Sequence, residues 1–529
     1  MHSRIIALWR ASSPRTRHWW VNIGIGVAIV SALNWASHGM HLSFVVNAQN
    51  GAFDRMMRAS AAAASDGGDS PLQAKLVLVD IDDHTWRDPR WGGGEPARAP
   101  RDALATLIEG AFQRGATQVV LDVAIEGATG RDADLADDRL FAARMQAMLA
   151  APWFGADRQL VLVRTLRPPL PVQRKLLAEA SRGETPFTEG YLDELREAPP
   201  LDSVIGRSSG RIVVAAPFFS LSPDHVLRDW QLLQVVCERR AAGAEGVVLV
   251  VPSVQLAAAA RHFGLAAGAA PWQIGAAAGR CTPFPADPAR AMRSAEAREA
   301  ALALLAQVEA ATAASWHATH QAFAQIGVGM SAQVPRVHDL GNRVVFRWAN
   351  PPNVVPANEL LHGQVRHDLK GRIVVIGQSN VETVDHQLTP LGDMPGCVVL
   401  LNAIDSMIRY RVIETPSAWI TVPLAFAMIV VVGYAFARWN SLAGTLVATG
   451  VIIAVLPWAS FSLFKHGVWL DFALPLLGIQ VHKMITSLEE SLARRQQAQT
   501  SARLARERAG KQEHSDRVEA TTPRQGGAP

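Results

Sequence analysis

The arrangement of long apolar stretches constrains this chain more than any other feature. About 20 consecutive apolar residues suffice to cross a bilayer as a helix. Stretches of about that length lie near both ends of the 529-residue chain, at residues 19–40, 418–437, 442–464 and 468–486. They predict one transmembrane helix before a large aqueous domain and three after it. Alternatively, the first stretch is a cleaved signal peptide with Val30-Ser31-Ala32 as its cleavage motif, but we favour an uncleaved anchor.

Basic residues predict the orientation of these helices. Residues 1–18 contain four arginines and no acidic residue, Arg438 lies in the loop between the second and third stretches, and residues 487–529 begin arginine-rich. Because cytoplasmic segments carry an excess of Lys and Arg, all three are predicted inside, and the tail is expected to be short and partly disordered. Residues 71–415 would then face the outside of the cytoplasmic membrane.

Composition agrees with this division and excludes some functions. Hydrophobic residues make up 49% of the chain and the net charge is only +4, which is too apolar and too balanced for a disordered protein. No basic stripe with interleaved aromatic residues is present, so nucleic acid is not an expected partner. The three cysteines form no CxxC pair, and no zinc or redox site is predicted.

The middle of the chain is predicted to form an α/β domain. The stretch KLVLVDID predicts a strand, PRDALATLIEGAFQRGA an amphipathic helix and TQVVLDVAI a second strand, which together form a parallel βαβ unit. Further strands are predicted at residues 158–166, 210–219, 245–252, 343–349 and 371–378. Their near-continuous Val and Ile runs favour a mostly parallel sheet flanked by helices on both faces.

Two segments stand apart from this pattern. Residues 59–70 are rich in small side chains and are predicted to form a linker. Residues 266–288 are rich in Ala, Gly and Pro and are predicted to form a loop, and Asp287-Pro288 predicts the start of a helix that runs to about residue 324.

Acidic residues collect where the predicted strands end. Asp80 and Asp82 end the first strand, Asp122 falls within the second, and Asp385 follows the last predicted strand. Arg101 opens the helix between the first two strands. Because the carboxyl ends of parallel strands meet at one edge of a sheet, these five residues are candidates for a shared ligand-binding site.

Three roles are open to this group. The carboxylates could be structural, capping turns, accepting backbone hydrogen bonds or pairing with Arg101. They could bind a small molecule or an ion. They could catalyse hydrolysis, but the sequence contains no GxSxG, HExxH or phosphate-loop motif. We therefore expect no enzyme, no catalytic residue, no metal centre and no cofactor, with ligand binding and a structural role as the remaining alternatives.

Several motifs in order resemble the CHASE domains of type two (CHASE2), which are extracytoplasmic sensory domains of bacteria. They are KLVLVDIDDHT, APRDALATLIEGAFQRGATQVVLDVAI, VVPSVQLAAAAR and KGRIVVIGQSNVETVDHQLTPLGDMPGCVVLLNAIDSMI. Three spans directly after the domain are also typical of the family. The chain departs from the pattern where RWGGGEPARA replaces the family's Trp-Pro-Trp stretch, and in an Ala-rich insertion at 266–335.

The resemblance implies a multi-pass sensor of the bacterial inner membrane with its large domain in the periplasm. Family members usually carry a cyclase, kinase or phosphatase after the spans, and none is recognised here. A signal would therefore pass to a partner protein in the membrane or the cytoplasm. The expected contacts are an unidentified small-molecule or ion ligand, membrane lipid and that signalling partner, and a homodimer stays open. The alternative is a non-sensing structural or assembly subunit of an envelope complex.

Overall fold

The computed structural model describes most of the α/β domain and parts of the terminal regions. The described residues are 13–38, 42–66, 75–93, 99–123, 125, 132–164, 194–195, 200–222, 224–239, 246–264, 280–281, 317, 321, 341–364, 368–381, 385–410, 413, 426–431, 434, 438, 441–470, 477–478, 480–481, 484–485, 488, 491–492 and 494–506. The helix predicted from Asp287 to about 324, most of the insertion and much of the stretches 418–437 and 468–486 lie outside them.

The helices and strands follow each other in α/β order over the middle of the chain. The helices are α1 (Pro14–His38), α2 (Ser43–Asp66), α3 (Asp83–Trp86), α4 (Arg101–Gln113), α5 (Asp132–Ala150), α6 (Pro200–Arg207), α7 (Val254–His262), α8 (Ala357–Leu361), α9 (Gly396–Tyr410) and α10 (Ser441–Phe464). The strands are β1 (Leu76–Ile81), β2 (Gln118–Asp122), β3 (Gln159–Val163), β4 (Glu194–Leu195), β5 (Ile212–Ala215), β6 (Phe219–Leu221), β7 (Leu227–Gln231), β8 (Leu233–Arg239), β9 (Gly246–Pro252), β10 (Arg280–Cys281), β11 (Gly341–Arg343), β12 (Val354–Pro356), β13 (Ile373–Gln378), β14 (His386–Thr389) and β15 (Gly392–Pro395).

The chain divides into two compact units. One contains Met1–Met56, Thr415–Phe464 and Val468–Pro529, and the other contains Met57–Glu414 and Lys465–Gly467. The second unit, which we call the α/β unit, is built on a six-stranded sheet of order β12-β1-β13-β2-β3-β5. All of its neighbouring strands are parallel, which confirms the predicted α/β class with a mostly parallel sheet.

Helices cover both faces of this sheet. On one face, the alternate residues Val77, Val79 and Ile81 of β1 join a continuous apolar core with α4, α5, α6 and α8. The opposite face, which carries Leu76, Leu78 and Asp80, packs against α9, and α7 lies beside α9 on the same side. Burial on both faces explains why the strands read as unbroken Val and Ile runs rather than as an alternation of polar and apolar residues.

The predicted parallel βαβ unit is confirmed, with β13 from the end of the domain between its two strands. Two sequence predictions about the strands need correction. The run at 245–252 forms β9, which pairs antiparallel with β8 in a separate sheet. The predicted strand 343–349 ends at Arg343, because side chains of α9 rather than a neighbouring strand bind the backbone from Val345 onward.

The predicted linker 59–70 is helical as far as residue 66, where α2 ends. Four consecutive alanines, the residues with the highest helix propensity, lie in this part, which explains why small side chains did not produce an irregular segment. Residues 67–70 lie outside the described part.

The other unit contains α1, α10 and the first part of α2. The helices α1 and α10 coincide with two of the predicted membrane stretches, 19–40 and 442–464. Phe53 packs edge-on against Phe464 and Trp469, with ring centroids 5.7 and 5.1 Å away. Within the part of the chain that the structure describes, no helix is both long and apolar enough to cross a membrane.

Candidate functional site

Strand register brings two of the predicted site residues to one place. Asp80 of β1 and Asp122 of β2 both pair in register with Gly377 of β13, the strand between them. Side chains at aligned positions of parallel strands point to the same face. Asp80 and Asp122 therefore flank a strand position without a side chain, on the sheet face that α9 covers, at the carboxyl edge of the sheet.

Gly377 allows α9 to approach the sheet closely. A Cβ atom at this position would lie 2.4 Å from the Cβ of Cys397 and 3.4 Å from the Cβ of Asp122. Cys397, the second residue of α9, fills this space and its thiol donates a hydrogen bond to the carbonyl of Gln378, at 3.3 Å. Burial, followed by the charges of Asp122 and Asp80, raises the pKa of this thiol well above its usual value, so it stays protonated.

Asp80 has one satisfied and one unsatisfied oxygen. Ser379 Oγ donates a hydrogen bond of 2.7 Å to Asp80 Oδ2. The other oxygen, Oδ1, is buried and has no hydrogen-bond partner among the residues that the structure describes. Burial is the main cause that raises the pKa of Asp80, and the charges of Asp82 and Asp83 act in the same direction, while the Ser379 hydroxyl opposes them.

Asp122 has a strongly raised pKa. The residue as a whole is half-buried, and protein surrounds its carboxyl group. This burial, together with the charge of Asp385, raises the pKa of Asp122 from 3.8 to about 7. Near neutral pH this carboxyl group is therefore protonated in a large fraction of the molecules, which is uncommon for an aspartate.

Asp385 lies at the start of α9. Its backbone carbonyl accepts a hydrogen bond from the Gly396 N–H at 2.9 Å, and its carboxylate occupies the space that a side chain at Gly396 would need. Gln387 Nε2 donates to Asp385 Oδ1 at 3.0 Å. A carboxylate at the first residue of a helix interacts favourably with the helix dipole. We call Asp80, Asp122 and Asp385 the acid cluster.

The other two predicted site residues have separate roles. Asp82 is the N-cap of α3, where its Oδ1 accepts hydrogen bonds from the backbone N–H and the hydroxyl of Thr85, both at 2.8 Å. Arg101 is buried and pairs with Asp138 of α5 at 3.1 Å, in the helical layer on the opposite face of the sheet. The structure therefore brings together three of the five residues.

The helices that follow the central strands lie on different faces of the sheet at the acid cluster. The helices that follow β1 and β2 lie on one face of the sheet, whereas α9, which follows β13, lies on the other. Loops that leave adjacent strands toward opposite faces create a crevice where ligands bind in open α/β sheets. Among the described residues, no group of three or more His, Cys, Asp or Glu side chains is placed to hold a metal ion.

Sequence reasoning missed three residues of this site. Ser379 directly follows β13, and its hydroxyl could have been noticed as the first polar group after an apolar run. Gly377 and Cys397 could not have been paired, because their contact depends on how α9 lies on the sheet. No local pattern in the sequence encodes that placement.

Comparison with known proteins identifies the family. The CHASE2 domain family matches residues 25–437, well over half of the chain. Neither a curated protein nor a solved structure matches the chain. The matched range contains the whole six-stranded sheet, the acid cluster and α9. The chain therefore belongs to the CHASE2 domain family, a family of extracytoplasmic sensory domains.

Proposed function

We propose that this protein is a sensor of the bacterial inner membrane, whose α/β unit perceives an extracytoplasmic signal and passes it to a partner protein. Family membership supports the sensing role. The distribution of arginines around the apolar stretches supports a periplasmic position for the α/β unit. The partner, in the membrane or the cytoplasm, receives the signal in trans.

The acid cluster is the observation that carries this proposal. Negative charges dominate the electrostatic surroundings of Asp80 and Asp122, because the charges that act on their pKa values come from other carboxylates. A positively charged small molecule or an ion would relieve this repulsion and would satisfy Asp80 Oδ1. The signal is therefore a positively charged small molecule that binds at the carboxyl edge of the sheet.

We assign the site to binding rather than to turnover. A thiolate is the reactive form of cysteine, and the raised pKa of Cys397 keeps this thiol protonated. The Ser379 hydroxyl donates to a carboxylate, whereas an activated serine usually has an adjacent histidine base. The groups at the site thus suit recognition of charge.

A thermal-shift experiment on the full chain in detergent tests ligand binding. The probes are Ca²⁺, Mg²⁺, spermidine and arginine. A ligand at about 100 times its Kd should raise the melting temperature by on the order of 5 °C, because it stabilises only the folded state. Asp122→Asn should abolish this shift, whereas Asp102→Asn, an exposed substitution on α4, should retain it.

The result of the thermal-shift experiment distinguishes a sensor from a non-sensing assembly subunit. If no probe shifts the melting temperature, the acid cluster is structural, as the capping by Asp82 and the helix contact of Asp385 would then suggest. Partner transfer is tested by affinity capture from membranes with the full chain and with a chain truncated after residue 486. Transfer through the tail requires that partners be lost on truncation, and their retention would favour a docking role of the α/β unit.

A further inference from the structure

The helix α9 is fixed to an irregular segment of the chain, residues 345–348. Asn402 is fully buried, and its Oδ1 accepts hydrogen bonds from the backbone N–H groups of Arg347 and Trp348 at 2.8 and 2.9 Å. Its Nδ2 donates to the Trp348 carbonyl at 2.9 Å. Ser406 Oγ accepts from the Val345 N–H at 3.0 Å. The helix and the segment are therefore held together as one body.

The last turns of α2 contact this body at two points. The backbone N–H of Phe346 donates to Met57 Sδ at 3.3 Å. The hydroxyl of Tyr410, the last residue of α9, is hydrogen-bonded to Ser60. The chain thus connects α9 with the helix that directly follows the first predicted membrane stretch.

A second connection lies at the same end of α9. Gly467 belongs to the short turn 465–467, which separates the last two predicted membrane stretches and is part of the α/β unit. A Cβ atom at Gly467 would lie 2.8 Å from the carbonyl oxygen of Tyr410, so the turn packs directly on the end of the helix. Gly467 also has a φ of +78°, which favours glycine.

The opposite end of α9 carries the acid cluster. Gly396 contacts the Asp385 carboxylate, and Cys397 contacts the sheet beside Asp122. Residues 396–408 of the helix are all buried. Close-packed interiors transmit strain because their side chains have no room to absorb a displacement. A helix of 15 residues spans about 22 Å at 1.5 Å per residue, so a shift at one end of α9 reaches the other.

We propose that α9 couples the acid cluster to the two segments that contact Tyr410, so that loss of charge at the cluster changes the packing of residues 57–60 and 465–467. This inference rests on the proposed function, because the coupling through α9 is the route by which a bound cation would act. It requires only that the two charge states of the cluster favour different positions of α9. The two segments continue directly into the predicted membrane helices, which would receive the change.

Hydrogen–deuterium exchange of the full chain in lipid nanodiscs tests this coupling without any ligand. Asp122→Asn removes one carboxylate of the cluster, which is ionised above its pKa of about 7, so the exchange is measured above that pH, and Asp385→Asn, at an exposed position, removes another if the first variant folds poorly. We expect amide exchange in peptides covering 57–62 and 463–470 to change by a factor on the order of 5. Asp102→Asn on α4 removes the same charge away from α9 and should leave both peptides unchanged.

A further variant tests which of the two contacts of Tyr410 transmits the change to residues 57–62. Tyr410→Phe removes the bond to Ser60 but keeps the ring, so in this background the response of 57–62 should fall while that of 463–470 persists. Unchanged exchange at both segments in Asp122→Asn and Asp385→Asn overturns the proposal, whatever happens near Cys397. An equal response to Asp102→Asn also overturns it. Neither result bears on whether a cation binds, which the thermal-shift experiment decides separately.

Discussion

At the scale of single residues, Gly377 determines how closely α9 packs on the sheet. Gly377→Ala would place a Cβ atom 2.4 Å from the Cβ of Cys397, and neither atom can move without its backbone. We expect a loss of about 3 kcal/mol in the free energy of unfolding, the upper range for overpacked cores. Thermal melting of the full chain in detergent measures it.

The chain offers a matched control for this prediction. Gly206, near the end of α6, has open space around it, since a Cβ atom there would meet no heavy atom within 4 Å. Gly206→Ala should therefore be neutral or slightly stabilising. The double variant Gly377→Ala, Cys397→Gly removes the clashing atom and should recover part of the loss. A Gly377→Ala protein that melts like the wild type would contradict the close approach of α9.

Asp122 should make stability depend on pH. Its pKa is raised from 3.8 to about 7 in the folded protein, so between these values the folded chain binds more protons than the unfolded chain. Its contribution to stability is therefore fully present at low pH and is lost as the pH rises toward 7. The wild type should lose more of its melting temperature between pH 5 and about 8 than Asp122→Asn.

The charge of Asp385 supplies a control for this pH dependence. Asp385→Asn removes a negative charge that disfavours ionisation of Asp122, so the pKa of Asp122 in the folded protein should fall, and the loss of stability should be smaller and complete at a lower pH. Asp102→Asn should retain the loss of stability that Asp122 causes, because Asp102 lies on α4, on the face of the sheet opposite to α9. Identical profiles for the wild type and Asp122→Asn would show that this carboxyl has an ordinary pKa.

At the scale of elements, the packing of α9 against residues 345–348 depends on Asn402. Asn402→Ala would leave the backbone N–H groups of Arg347 and Trp348 without their acceptor in a buried site. We expect a loss of about 3 kcal/mol, since each unsatisfied buried group costs roughly 1 to 3 kcal/mol. Asn350→Ala, at an exposed position two residues after Trp348, serves as the control. Equal melting temperatures for the two variants would contradict the role of Asn402.

The elements of the sheet differ in how far the sequence could predict them. The strands β1, β2, β3, β5 and β13 are buried on both faces, so each appears in the sequence as a short run rich in Val and Ile, which favours a strand. The run after Arg343 has the same composition, but Asn402 and Ser406 bind its backbone, which prevents a strand. Local composition does not reveal hydrogen bonds between residues so far apart in the sequence.

The residues of the candidate site also differ in how far the sequence could predict their positions. Asp80 and Asp122 could be placed at one sheet edge because the carboxyl ends of parallel strands coincide. Arg101 could not be excluded from that edge, since its partner Asp138 lies 37 residues away on a different helix. The intervening position of β13 depends on the topology of the whole domain, which the order of strands in the sequence does not specify.

At the scale of the whole molecule, regions with long apolar stretches precede and follow the α/β unit along the chain. The family match supports an extracytoplasmic domain, and the arginine-rich flanks predict the same orientation independently. If the α/β unit faces the periplasm, a cation outside the cytoplasmic membrane has direct access to the acid cluster. The side of the membrane on which this unit lies is therefore the central claim.

Cysteine labelling in intact cells tests this claim most directly. Val381 follows β13 and is 82% exposed, whereas the native Cys397 is buried, so Val381→Cys offers a reactive thiol near the acid cluster. Gln496→Cys places a thiol on the exposed tail. With the outer membrane permeabilised and the wild type as background, a membrane-impermeant maleimide should label Val381→Cys before lysis and Gln496→Cys only after it. Protection of Val381→Cys until lysis would contradict the account.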